Sequence, residues 1–126
     1  MTTLNPSCPG RWLLLIDDDS SVRSLVSEML TILGYRVDQA SDGVEGLGLF
    51  DRGHYDLVMT DYMMPRMNGA AVADAIRLKG STACVMILTG CADDSGIDGL
   101  RHRGIPILAK PVGLIQLKAA VEAALG

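Results

Sequence analysis

Apolar residues in this chain follow two alternating rhythms. Unbroken runs, WLLLI from Trp12 to Ile16, DLVMT from Asp56 to Thr60, CVMILT from Cys84 to Thr89 and IPILA from Ile105 to Ala109, have the length and character of strands buried on both faces. YRVDQA, Tyr35 to Ala40, reads as a shorter second strand. Between the runs the spacing changes to three and four residues. Val22, Leu25, Val26, Met29, Leu30 and Leu33 make one helix face, Val44, Leu47 and Phe50 a second, Ala70, Val72, Ala73 and Ile76 a third, and Leu114, Leu117, Val121 and Leu125 a last one. Ser20 or Ser21 is expected to cap the first helix and Gly34 to end it; Ser41 is expected to cap the second, whose Gly43, Gly46 and Gly48 lower its helix propensity. GCADDSGIDGLRHRG carries the weakest pattern. Gly96 and Gly99 leave room there only for a short or loosely held helix between Asp93 and Arg103.

Five apolar strands alternating with five helical segments imply an α/β fold with a parallel, doubly wound sheet covered on both faces. At 126 residues the chain suits one domain, and its 48% hydrophobic content argues against disorder. No internal repeat or second domain is left over. The formal net charge of -4 gives no broad basic face, so nucleic acid is not an expected partner. Cys8, Cys84 and Cys91 have no metal-ligand spacing and read as reduced thiols, Cys84 at the edge of a core and Cys91 near a cleft. His54 and His102 fall on surface turns or helix ends. No apolar run reaches membrane-spanning length and no signal peptide is evident, so the expected location is cytoplasmic, without direct membrane contact.

In a doubly wound sheet the functional crevice lies at the carboxyl ends of the strands. Strand one delivers Asp17 and Asp18 there, strand three Asp61, strand four Thr89 and strand five Lys110. Acidic residues often follow strands because turns favour them, and a lone Lys-Pro pair says little. Four strands sending complementary groups to one end is the stronger observation. Three carboxylates repel one another unless a cation or a lysine offsets them, and an all-oxygen cup suits a hard ion, Mg2+ before Ca2+ or Zn2+. Asp61 is then an oxygen nucleophile, with Lys110 and Thr89 placed to neutralise charge developing on phosphoryl oxygens, which gives an aspartyl phosphate. Without a glycine-rich nucleotide loop, the donor is expected to be a phosphoprotein or small phosphodonor rather than bound ATP.

LLLIDDDSSVR, DLVMTDYMMPRMNG, VMILTG and AKP, in this order and over Trp12 to Leu125, resemble the receiver domain of two-component response regulators. The resemblance implies a flavodoxin-like (βα)5 sandwich with strand order 2-1-3-4-5, residues 11–126 forming the receiver domain; residues 1–10, with two prolines, a glycine and no periodicity, are expected to be a flexible leader or linker remnant. It implies that Asp61 takes a phosphoryl group from a histidine kinase or histidine phosphotransfer protein. Asp17 and Asp18 would help organise Mg2+ (Mn2+ as a substitute), Asp18 more directly, with Asp61 and the backbone carbonyl of Met63 completing the set. Lys110 and Thr89 would be the remaining catalytic groups, Thr89 and residue 107 the switch pair, and Lys110-Pro111 a cis bond. Slow self-dephosphorylation is also implied, without conventional turnover of an external substrate.

Two positions depart from the family pattern. Ile107 stands where many receivers carry Tyr or Phe, and Val112 where Phe is common, so the aromatic readout is expected to be weakened or replaced. The expected output is a change in the helix-4/strand-5/helix-5 surface, felt by a downstream protein or a covalently linked kinase or output domain, with a homodimer through that surface as one form. Competing readings are a non-phosphorylated interaction module of the same fold and a small phosphatase-like hydrolase. The latter needs an acid two residues after Asp61, where Met63 stands.

Overall fold

The computed structural model describes residues 11–90 and 95–126. The leader expected over residues 1–10, Cys8, Cys91 and the start of the helix expected from Asp93 lie outside the described residues. The elements follow in strict alternation: β1 (Trp12–Ile16), α1 (Ser20–Ile32), β2 (Arg36–Ala40), α2 (Gly43–Arg52), β3 (Leu57–Asp61), α3 (Gly69–Leu78), β4 (Cys84–Thr89), α4 (Ser95–His102), β5 (Ile107–Ala109) and α5 (Leu114–Leu125). The strands form one parallel sheet in the order β2-β1-β3-β4-β5, as the resemblance implied.

The side-chain period of two splits the apolar strand residues between two cores. Leu13, Leu15, Leu57, Met59, Met86 and Leu88 point to one face, against Val26 and Leu30 of α1 and Leu117 and Val121 of α5. Leu14, Ile16 and Val58 point to the other, against Val72 and Ile76 of α3. A third, smaller cluster joins Tyr62 and Ile87 to Ile97 and Leu100 of α4, with Ile107 packed against it. Burial on both sides explains why the central strands carry no polar alternation. The amino end of the sheet is polar: the Trp12 amide donates to Asp56, and the Arg36 guanidinium lies 5.3 Å from the centre of the Trp12 ring.

Several element ends differ from the sequence expectation, each for a local reason. Asp19, not Ser20 or Ser21, caps α1, its Oδ1 accepting from the amides of Ser21 and Val22. Asp42, not Ser41, caps α2; Ser41 instead donates its amide and hydroxyl to Glu45 Oε1. β2 starts at Arg36 because the Tyr35 amide is taken by Leu30 at the end of α1. β5 starts at Ile107 because the Ile105 amide is taken by Leu100 and Pro106 has none to give. The helix expected over Asp93 to Arg103 is described as Ser95–His102. α2 forms despite its glycines, and Gly46 has a use: a Cβ there would overlap the Ile16 side chain, so the bare backbone lets α2 lie close on β1.

Candidate active site

Asp17 follows β1 directly and is fully buried. Its burial is tolerable because each polar atom is engaged. The amide donates to Ala40, Oδ1 accepts from the Asp19 amide at 2.9 Å, and Oδ2 accepts from Lys110 Nζ at 3.0 Å. Asp18, the next residue, is exposed at the mouth of the site.

Asp61 is the last residue of β3, not the first beyond it, and is only 8% exposed. Parallel register sets it opposite Leu88 on β4, so that Thr89 lies one step further toward the carboxyl end and Lys110, next after the Ala109 partner of Thr89, two steps; Thr89 is buried and the Lys110 amide donates to its carbonyl. Lys110 Nζ stands 3.3 Å from Asp61 Oδ1 as well as 3.0 Å from Asp17, making the ammonium a bridge between the two buried acids. The bond from Lys110 to Pro111 is cis. Behind Asp61 the chain turns sharply: the Gly69 amide donates to the Tyr62 carbonyl, and a Cβ on Gly69 would sit 2.8 Å from the Asp61 carbonyl oxygen.

Asp17, Asp18 and Asp61 each place a carboxylate oxygen within 4.8 Å of the other two. Burial pushes the Asp61 carboxyl above its ordinary range, the ammonium of Lys110 opposing this and the charges of Asp17 and Asp18 adding to it. Burial works against the charge on Lys110 as well, yet its bond to Asp17 and the field of both acids together carry its pKa upward. Three carboxylates against one ammonium leave an excess of two negative charges when all are ionised. That excess, and a donor set made only of oxygens with this spacing, fits a hard divalent cation.

Thus Asp17, Asp18, Asp61 and Lys110 come together, and Thr89 stands beside them on β4. Met63 is 60% exposed. Ile107 is set back from the charges, in the cluster with Tyr62, Ile97 and Leu100. His54 and His102 are exposed, and Cys84 donates its thiol to the Ala124 carbonyl at a core edge. Sequence reasoning passed over Asp19, which caps α1 and so leaves the acidic triplet with three separate duties. Its equal standing with serine as a cap was the available signal.

The profile of the response regulator receiver domain matches residues 13–122. The chain belongs to the response regulator receiver family. It is 38% identical over 112 residues to the uncharacterized transcriptional regulatory protein YcbL of Bacillus subtilis, covering 89% of this chain and 50% of that one. A probable chemotaxis protein CheY of Rhizobium etli is 34% identical over 117 residues, covering 90% of this receiver and 91% of its relative. Among solved structures, the response regulator TrrA of Thermotoga maritima, in complex with Mg(2+)-BeF, superposes with a TM-score of 0.81 at 34% identity, over 91% of this chain and 99% of that one. This receiver spans about half the length of several curated relatives it matches.

Proposed function

We propose that this receiver domain accepts a phosphoryl group on Asp61 from a phosphohistidine of a histidine kinase or histidine phosphotransfer protein, in a Mg2+-dependent reaction. The observation that carries the reading is the Lys110 ammonium held between Asp17 and Asp61 inside a three-carboxylate cluster. In the transfer, the phosphorus–nitrogen bond of the donor breaks as a phosphorus–oxygen bond to an Asp61 carboxylate oxygen forms. The imidazole leaves with the bonding pair and is protonated from solvent. Lys110 is placed to hold a phosphoryl oxygen once Asp61 is phosphorylated, and Thr89 to approach another. Asp18, Asp61 and the Met63 carbonyl would hold the cation, with Asp17 behind them; when bound, Mg2+ (or Mn2+ in its place) offsets phosphoryl charge. Slow loss of the group to water would return the domain to its starting state.

An apolar groove beside Lys110, lined by Val22, Leu25, Val26, Met29, Pro111 and Val112 and holding about 270 Å³, supports a protein as donor. A small phosphodonor makes no use of such a surface. For the output, Tyr62 directly follows Asp61 and packs with Ile97, Leu100 and Ile107. It supplies the aromatic ring that position 107 lacks, giving a route from the phosphorylated carboxylate to α4 and β5. The altered α4, β5 and α5 surface would then engage a downstream protein, a linked domain or a second copy.

Incubation with Mg2+ and acetyl phosphate followed by intact-mass measurement tests the acceptor assignment. The wild type is expected to gain one phosphoryl mass and Asp61→Ala none. Absence of the gain in the wild type, or an equal gain in the variant, would point instead to the non-phosphorylated interaction module.

A further inference from the structure

The peptide joining Asp17 to Asp18 carries two of the three site acids, and a residue outside the cluster holds it. Arg23, half-buried one turn into α1, donates from Nη1 to the Asp17 carbonyl at 2.7 Å. Its Nε donates to Gln39 Oε1 on β2 at 3.3 Å, and Gln39 Nε2 in turn donates to Ser27 Oγ at 3.1 Å. The guanidinium is thereby fixed from two sides, which suits a planar fork and not a point charge.

The bond from the Asp19 amide to Asp17 Oδ1 spans the same peptide and restrains it from the side-chain side, and Arg23 adds a second restraint, on the carbonyl itself. Turning that peptide plane swings Asp18, whose carboxylate stands beyond it at the mouth. We propose that Arg23 is a positioning residue for the divalent-cation site: by holding the Asp17 carbonyl it sets the direction of the Asp18 carboxylate. This rests on the reading of Asp17, Asp18 and Asp61 as a cation site. It also has an unusual sign. A positive side chain near a cation site acts against cation binding through its charge alone, so removing it should tighten Mg2+ if charge is its whole role. Removing a brace should loosen Mg2+ instead.

Isothermal titration of the full chain with Mg2+, without any phosphodonor, separates these. The wild type is expected to bind and Asp18→Asn to lose binding. Arg23→Met and Arg23→Lys are both expected to raise Kd by about tenfold, the scale of one charge-assisted hydrogen bond. Gln39→Leu, which frees one side of the guanidinium, is expected to raise it by a smaller factor and serves if an Arg23 variant does not fold. Thermal unfolding in the absence of Mg2+ shows whether each variant is intact. Unchanged or tighter Mg2+ binding in folded Arg23→Met, or wild-type affinity in Arg23→Lys, would overturn the positioning role while leaving the cation site in place. No Mg2+ binding by the wild type would instead remove the cation site itself, and this inference with it.

Discussion

The two halves of the sheet around Asp61 are built to different standards. On the β2-β1-β3 side, five-residue strands pair along their length, and fully buried Leu13, Leu14, Leu15 and Ile16 pack into both cores. On the β4-β5 side the edge strand has three residues, none fully buried, and among the described side chains of α4, a helix of eight residues that include two glycines, only Ile97 and Leu100 are buried. One half fixes the charges in place. In the other, β5 and α4 at its edge have few buried contacts to lose, which would suit the elements proposed to change on phosphorylation.

The largest test of that contrast is removal of the bridge between the halves. Lys110→Met is expected to abolish phosphoryl acceptance and, by leaving Asp17 buried beside an unpaired charge, to cost about 3 kcal/mol in urea unfolding. Intact mass and denaturation curves read the two effects separately. Core truncations should divide by side: Leu15→Ala is expected to cost about 3 kcal/mol, and Leu108→Ala on the half-buried edge about 1 kcal/mol. Equal losses would mean the edge is as well packed as the centre.

A smaller effect has the opposite sign. The Asp61 carboxyl has its pKa raised in the fold, so the folded protein binds that proton more tightly than the unfolded chain. Its stabilising effect is complete below the unfolded pKa and is lost as pH rises through the folded one, leaving ionised Asp61 a cost at neutral pH. Asp61→Asn should therefore raise the Tm of the metal-free protein by a few degrees, about 3 °C, as scanning calorimetry can measure; a lower Tm would contradict the electrostatic account. The smallest effect lies on the well-fixed side. Burial, with the bond to Asp38, pushes the Tyr55 hydroxyl up to about 12. The stability this carries is present below about pH 10 and fades as pH rises toward 12. Tyr55→Phe should flatten that alkaline decline and remove from the ultraviolet absorbance titration the step near pH 12.

The strands were legible because burial on two faces leaves runs such as WLLLI and CVMILT with no other reading, and their carboxyl ends named the residues that meet. What sequence left unread was set by partners far along the chain. Three consecutive acids after a strand look like a solvated turn, and only Lys110, 93 positions away, makes Asp17 a buried one. The start of β5 was misplaced because nothing local says that the Ile105 amide already has Leu100 as acceptor. Arg23 was invisible for a similar reason. An arginine on a helix between Val22 and Ser24 has no periodicity to mark it, and its target is a carbonyl, which carries no sequence signature at all.

Trp12 is the one tryptophan of the chain and stands at the amino end of β1, beneath Arg36 and tied to Asp56, with the full length of the strand between it and the acids. Intrinsic emission from this indole is consequently a reporter of global melting and of the Arg36 contact. It should stay silent when a small ion or phosphoryl analogue arrives at the opposite end, so an optical assay of occupancy calls for a second indole introduced near Met63.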